Sequence, residues 1–206
     1  MRFAIEILLD SETAGSLVKI WEDLRAKQLA APQTLKRPYV PHISLAVTDD
    51  IDVDKYSTIT KKIAGRHSCF ELLFTHWGIF RSDKEVLFIA PRPCAELTAL
   101  HLDVFTSLEG CGVVTWHLYR PKRWVPHCAI TVRDSYDDIC SALRLVEQLK
   151  LPFTAHASKL ALVDFINGEE LWVCDLERSD RKLVTPKPSL PTPSAVTLHA
   201  GREARP

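Results

Sequence analysis

The sequence contains one pattern twice, first as Tyr39-Val40-Pro41-His42-Ile43-Ser44-Leu45-Ala46 and again as Trp124-Val125-Pro126-His127-Cys128-Ala129-Ile130-Thr131. In each copy an aromatic residue precedes Val-Pro-His and a β-prone apolar run follows, with the second histidine 85 positions after the first. A single His-x-Ser carries little weight, because a chain with eight histidines should contain about one His-x-Ser or His-x-Thr by chance. Repetition of the whole pattern predicts a paired architecture. We call residues 39–46 the first motif and residues 124–131 the second motif.

Composition limits the classes of function that the chain can serve. Its 206 residues suit one domain or two small halves with a shared core, and 46% hydrophobic residues with 25% charged residues are typical of a globular protein. No apolar run approaches the roughly 18 residues of a membrane-spanning helix, so no membrane partner is expected. Lys plus Arg equals Asp plus Glu at 26 each, which argues against a protein that coats long duplexes. Any nucleic-acid partner should therefore be a short end or a nucleotide.

The six cysteines are scattered and contain no Cys-x-x-Cys pair. This pattern favours reduced thiols in the cytoplasm, or alternatively the nucleus, over a disulfide framework. No short spacing of His and Cys supports a zinc site, so neither a metal nor another cofactor is expected. We expect the protein to be a monomer.

The order of the predicted elements indicates a duplicated fold. Strands are expected over residues 41–47 and 126–132, each after a strand-helix unit and before a helix, a long strand and a short strand. Residues 113–119 are expected to add a strand before the second motif. The predicted class is α+β, with two interleaved, pseudo-symmetric lobes whose antiparallel sheets line a central cleft and whose helices lie outside. This domain should span residues 1–180, and the Pro-rich residues 181–206 should be a disordered tail.

Strand periodicity assigns the chemistry to one face of each motif strand. A period of two places the histidine and the second and fourth residues after it on the same face. These residues are His42, Ser44 and Ala46 in the first strand and His127, Ala129 and Thr131 in the second. The opposite face is apolar and should belong to the core.

Two histidines on facing strands indicate a general base and a general acid, because imidazole titrates near neutral pH. Ser44 lies where its hydroxyl can hold an anionic oxygen. Ala129, at the same position of the second motif, has no hydroxyl, and Thr131 is the candidate substitute. Such a site can bind phosphate with hydroxyls, a charged imidazole and neighbouring basic residues, without a metal ion.

Four residues beside the motifs are candidates for substrate binding, each with a structural alternative. Tyr39 and Trp124 can stack on a base, or they can pack beneath their own lobe. Arg37 and Arg123 can meet phosphate charge, or they can be solvated loop charges. Each histidine taken alone would more often be a hydrogen-bonded structural residue, and the repeat is what favours catalysis.

The chain, with its paired Val-Pro-His motifs, resembles the 2H phosphoesterase superfamily, which contains bacterial 2′-5′ RNA ligase-like proteins and RNA cyclic phosphodiesterases. Its signature is two His-x-Thr/Ser motifs on strands of a duplicated bilobal α+β fold, and the resemblance covers most of residues 1–176. His42 and Ser44 fit the first motif and His127 fits the second, whereas Ala129 departs from the expected Thr or Ser.

The resemblance implies a metal-independent phosphodiesterase that acts on 2′,3′-cyclic phosphate ends of RNA or on cyclic nucleotides, with reversible 2′-5′ RNA ligase chemistry as a further expectation. Our working hypothesis is opening of the ring to a 2′-phosphate, with His127 nearer the attacking water and His42 nearer the leaving oxygen. The alternative is a non-catalytic module that binds nucleotides or RNA ends. A third possibility is an acyl or sugar-phosphate enzyme that uses the same histidines.

Overall fold

The computed structural model describes residues 2–30, 40–49, 51–81, 83–147, 149–167 and 169–177. Within these ranges the chain forms seven strands and four α-helices, and the predicted α+β class is confirmed. The strands are β1 (Phe3–Leu9), β2 (His42–Thr48), β3 (Phe70–Phe80), β4 (Glu85–Pro91), β5 (Cys128–Arg133), β6 (Phe153–Asp164) and β7 (Glu169–Asp175). The helices are α1 (Ser11–Ala26), α2 (Val53–Ala64), α3 (Ala95–Glu109) and α4 (Tyr136–Val146). The tail predicted over residues 181–206 lies outside the described residues.

The order of elements contains the expected duplication. The unit β-α-β-α-β occurs as β1-α1-β2-α2-β3 and again as β4-α3-β5-α4-β6, before the final strand β7. The sheet order is β2-β1-β6-β3-β4-β5, with β7 beside β6, and the paired strands are antiparallel. The last strand of each unit therefore joins the other unit, since β6 lies beside β1 and β3 beside β4. This exchange interleaves the two lobes.

Local sequence explains where the first two helices begin. Asp10 precedes α1 and accepts a hydrogen bond from the Thr13 amide at 2.9 Å, and Asp52 does the same for the Lys55 amide at 3.2 Å before α2. Such N-caps satisfy an amide that has no partner within the helix. None of the helices in the described part of the chain is long and apolar enough to cross a membrane.

Buried apolar side chains from the strands and from all four helices form one core cluster. Helix α3 packs on β2, α4 packs on β4 and β5, and α2 packs on β6 and β7. The motif strands lie at the two ends of the sheet order, so each has one neighbour in the sheet and a helix behind it. The core therefore holds the back of both motif strands.

The strand predicted over residues 113–119 is wrong. This segment ends in a single 3₁₀ turn, His117–Tyr119, and it lies along the edge of β2. One backbone hydrogen bond, from Trp116 N to Val47 O at 2.8 Å, joins it to that edge in place of a strand ladder. The turn directly precedes the basic loop and the second motif.

Each motif strand carries a β-bulge at the same position. On β1 and β2 the pairing steps from Ile5 with Ala46 to Glu6 with Ser44, so Leu45 is an extra residue on β2. On β4 and β5 the pairing steps from Leu87 with Thr131 to Phe88 with Ala129, so Ile130 is the extra residue on β5. An extra residue breaks the alternation of side chains between the two faces of a strand. The extra residue is thus the third residue after His in both motifs.

Because of the bulges, the residues that follow them lie on a different strand face from the one predicted. Ala46 and Thr131 do not share the face of the histidines, because the bulge turns them towards the core, where they are 1% and 0% exposed. The Thr131 hydroxyl donates a hydrogen bond to the Leu29 carbonyl at 2.6 Å, beyond the end of α1. The expected role of this hydroxyl at a phosphate does not fit that position.

Candidate active site

Both motif histidines have the same local geometry. His42 Nδ1 lies 2.8 Å from the Val40 carbonyl oxygen, and His127 Nδ1 lies 2.7 Å from the Val125 carbonyl oxygen. A carbonyl only accepts hydrogen bonds, so Nδ1 carries a hydrogen and donates in each case. Nε2 is then the nitrogen that is left to gain or lose a proton. The backbone of each motif therefore fixes the tautomer of its own histidine.

The fold brings the two predicted histidines together. Trp124 of the second motif donates from Nε1 to the Ser44 carbonyl of the first at 2.9 Å. The backbone amide of His42 interacts with the Cys128 sulfur, and a charge on His42 lowers the pKa of His127. The two ends of the sheet order thus meet at the motifs.

Polar side chains surround His42. Its Nε2 lies 3.2 Å from Oε1 of Glu6, whose side chain comes from β1, directly opposite Ser44 in the sheet register. Glu6 is only 5% exposed, and burial raises the pKa of its carboxyl, although His42 opposes the rise and Glu170 adds to it. An ionised Glu6 can hold the proton of His42 Nε2 in a charge-assisted hydrogen bond.

Sequence reasoning missed the role of Glu6, although there was a signal for it. Glu6 is the one charged residue in the apolar run Phe3–Leu9. A carboxylate in a buried strand needs a partner, because an unpaired buried charge is costly. That partner is His42.

Tyr119, at the end of the 3₁₀ turn, is a second residue that sequence reasoning missed. Its phenol hydrogen-bonds to the Ser44 side chain, and it lies close enough to Glu6 to feel the carboxylate charge. Burial, with a further contribution from Glu6, raises the pKa of Tyr119 to about 12, and the Ser44 hydroxyl opposes this rise. No sequence motif marks this tyrosine, because its position depends on how the turn packs against β2.

Aromatic side chains surround His127. The rings of Phe80 and Phe88 contact its imidazole in edge geometry, with centroids 4.8 Å and 5.3 Å away. Burial lowers the pKa of His127, and the nearby His42 lowers it further, while the hydrogen bond to Val125 opposes the change. An imidazole in this setting is neutral near pH 7 and can accept a proton at Nε2.

A glycine makes room for this aromatic contact. Gly78 pairs with Phe88 across β3 and β4. A Cβ atom at Gly78 would lie 2.2 Å from the Phe88 ring, so no other residue fits here without moving that ring. Ala129, the small residue in place of the expected hydroxyl, also pairs with Phe88, from β5.

Of the four candidate substrate-binding residues, two fall within the described ranges. The Trp124 ring stacks on His101, with centroids 3.8 Å apart and an interplanar angle of 5°, and its Nε1 is hydrogen-bonded to Ser44. This arrangement agrees with the packing alternative, because both the ring face and the donor have partners. Arg123 is exposed beside the motif. Tyr39 and Arg37 lie outside the described residues.

Similarity to known proteins agrees with this geometry. The family model of the 2′-5′ RNA ligase superfamily matches residues 10–169. TT0787 of Thermus thermophilus has a similar structure, with 15% identity, a TM-score of 0.59, and coverage of 87% of this chain and all of that one. E. coli LigT complexed with NADP+ aligns at 19% identity and a TM-score of 0.55 over 86% of this chain and 98% of that one. The same protein complexed with 3′-AMP aligns at 20% identity and a TM-score of 0.51, over 85% and 95%. No curated protein sequence matches the chain significantly.

Proposed function

The chain belongs to the 2′-5′ RNA ligase superfamily, a family of 2H phosphoesterases, and we propose that it opens 2′,3′-cyclic phosphate ends of RNA or of nucleotides by two-histidine acid/base catalysis. One observation carries this proposal: His42 and His127 have the same backbone anchor and opposite surroundings. A carboxylate contacts His42, and aromatic rings contact His127. A pair of imidazoles that differ in this way can hold one proton between them.

The side chains around each histidine indicate which one acts as the base and which one acts as the acid. His127 is the base, because burial lowers its pKa and leaves Nε2 free to accept a proton from the attacking water. His42 is the acid, because Glu6 stabilises a proton on its Nε2. As the water oxygen bonds to phosphorus, the bond from phosphorus to O3′ breaks, and His42 protonates O3′. The products are a 2′-phosphate and a 3′-hydroxyl.

Side chains of the site can meet the charge of the phosphate. The Ser44 hydroxyl can donate to one non-bridging oxygen, and the imidazolium of His42 adds a positive charge beside it. We propose that this reaction proceeds without a metal ion. A 5′-hydroxyl in place of the attacking water would bond to phosphorus as the bond to O3′ breaks, and would join two ends through a 2′-5′ linkage. The complexes of E. coli LigT with 3′-AMP and NADP+ make a nucleotide a reasonable ligand class to propose here.

Three further assignments of this proposal rest on sequence alone. They are a monomeric state, RNA ends or small cyclic nucleotides as the partners, and a location in the cytoplasm, with the nucleus as the alternative. All six cysteines lie in the described part of the chain and are free thiols. A reducing compartment is therefore the one we propose.

The test is a ring-opening assay in EDTA with an RNA oligonucleotide that ends in a 2′,3′-cyclic phosphate. We expect the wild-type chain to form a 2′-phosphate and the His42→Ala and His127→Ala variants each to lose about 10²–10⁴-fold in rate. His156→Ala is the matched control, because His156 is exposed on β6 and its charged neighbours are Asp10 and Glu71. Equal activity in all four proteins, or loss of activity in EDTA, would contradict the proposed mechanism.

Ala129 supports the second candidate, a non-catalytic module for nucleotides or RNA ends, because the second motif lacks the hydroxyl found in the first. This candidate predicts binding of a 2′-phosphorylated nucleotide without turnover. Titration of the wild-type protein with that nucleotide, beside the ring-opening assay, separates the two. Binding with no ring opening would favour the module, whereas robust opening would remove it.

A further inference from the structure

The two motifs differ in their hydroxyl groups. Ser44 and Ala129 occupy equivalent positions, two residues after each histidine and just before each bulge. Thr131 does not replace the missing group, because its hydroxyl is buried and bonded to Leu29. A phosphate held between the histidines has two non-bridging oxygens, and the motifs themselves supply a hydroxyl for one of them.

The Tyr119 hydroxyl lies beside the hydroxyl of Ser44. The two side chains hydrogen-bond to each other, so their oxygens are neighbours at the first motif. Each hydroxyl has one hydrogen, so when a bound phosphate displaces the bond between them, each can donate to a different oxygen of that phosphate. The tyrosine thereby adds a donor to the site without any change in the second motif strand.

The backbone of Tyr119 is held firmly. Its amide donates to the Trp116 carbonyl at 2.9 Å, and its carbonyl accepts from His101 Nε2 at 2.8 Å. His101 is 3% exposed and stacks on Trp124, whose Nε1 is bonded to Ser44 O. The tyrosine turn, helix α3 and both motifs therefore belong to one connected network.

We propose that the Tyr119 hydroxyl is a phosphate-binding donor of this site and supplies the hydroxyl that Ala129 does not. This inference rests on the proposed function, because it concerns the phosphate of the same substrate. Tyr119 makes a hydrogen bond and transfers no proton. In the transition state it would stabilise the charge that builds up on a non-bridging oxygen as water attacks.

The charge state of the phenol suits this task. Burial and the nearby carboxylate keep its pKa at about 12, so it stays neutral over the working range of a histidine pair. A neutral phenol donates to an anion, whereas a phenolate would repel it. Its hydrogen-bonding capacity is therefore constant across the pH range of the assay.

The test compares Tyr119→Phe, Ala129→Thr and the double variant in the ring-opening assay. We expect Tyr119→Phe to lower kcat by about 10²-fold, the effect of removing one transition-state donor. Ala129→Thr alone should change kcat by less than about threefold, because a donor is already present. In the double variant the new hydroxyl should recover at least about tenfold of the loss. A purely structural role for Tyr119 predicts no rescue by Thr at position 129.

The outcomes separate this inference from the proposed function. If the wild-type protein opens the ring and Tyr119→Phe is equally active, the inference is overturned and the proposed function stands. If the wild-type protein does not turn over, the same variants are titrated with inorganic phosphate. We then expect about tenfold weaker phosphate binding by Tyr119→Phe and recovery in the double variant. Unchanged phosphate affinity would overturn the inference in that case too.

Discussion

The two motifs share a backbone and differ in what surrounds them. Both histidines donate from Nδ1 to the carbonyl two residues earlier, and both strands bulge at the third residue beyond His. Around His42 lie a carboxyl, a serine and a tyrosine, whereas the rings of Phe80 and Phe88 contact His127. The duplicated backbone places two similar nitrogens, and in the proposed mechanism the neighbouring side chains make one histidine the acid and the other the base.

In the proposed function, this difference suits a symmetric scaffold to an asymmetric reaction. Two imidazoles in the same environment would be protonated together or deprotonated together over most of the pH range. Hydrolysis needs one neutral and one protonated imidazole, since one group accepts a proton while the other donates a proton. Buried aromatic contacts on one side and a buried carboxyl on the other provide that difference.

Apart from the two histidines themselves, the largest effect should come from removing the hydroxyl of the first motif, which makes it like the second. Ser44→Ala should lower kcat by about 10²-fold, because the site loses a donor to the transition-state oxygen. Ser44→Thr keeps a hydroxyl and is the matched control, which should stay within about tenfold of the wild type. Both rates are measured in the ring-opening assay. Equal rates for the Ala and Thr variants would show that this hydroxyl has no role.

Removal of the charge beside His42 should have the next largest effect. Glu6→Gln keeps the size of the side chain and should lower kcat by about tenfold, because the proton on the acid loses a charged partner. The acidic limb of the pH–rate profile should stay in place, below the ordinary histidine value of 6.5, because burial lowers the pKa of His127 and a base is active only above its pKa.

The profile of Glu6→Gln is measured beside that of Glu71→Gln. Glu71 is an exposed carboxylate on β3 whose neighbour is His156. A kcat for Glu6→Gln equal to that of Glu71→Gln would show that Glu6 does not assist the acid. Movement of the acidic limb would assign Glu6 to the base.

A smaller effect should follow from disturbing the aromatic rings that contact His127. Gly78→Ala places a methyl group against the Phe88 ring and pushes that ring towards His127. We expect overpacking to cost about 1–3 kcal/mol of unfolding free energy and kcat to fall several-fold. Gly15→Ala is the control, because its Cβ would meet nothing within 4 Å. Normal stability and rate in Gly78→Ala would contradict the tight contact with Phe88.

The smallest effect on activity should come from Thr131, which the bulge removes from the site. Thr131→Val deletes the donor to the Leu29 carbonyl and should lower the free energy of unfolding by about 1–3 kcal/mol. The ring-opening rate should stay within about twofold of the wild type. Urea denaturation beside Thr58→Val, an exposed threonine on α2, provides the comparison. A large loss of rate with intact stability would return Thr131 to the phosphate site.

The sequence was sufficient to predict the fold class and to select the two histidines as candidates, because repetition and strand periodicity are local features. Periodicity did not predict the correct strand faces beyond the bulges, since an extra residue within an apolar run cannot be recognised from the sequence. Thr131 was therefore assigned to the wrong face. Glu6 and Tyr119 could not be assigned to the site from local pattern alone. Their contacts with the first motif depend on the register of β1 and on the packing of the 3₁₀ turn.

The most direct test of the acid and base assignment uses a cyclic substrate in which sulfur replaces the 3′ oxygen. A thiolate leaves without protonation, so this substrate has no need of a general acid. We predict that His42→Ala recovers to within about tenfold of the wild-type rate on the sulfur substrate, while His127→Ala stays about 10²–10⁴-fold slower. Recovery of His127→Ala in place of His42→Ala would reverse the two roles and contradict the account.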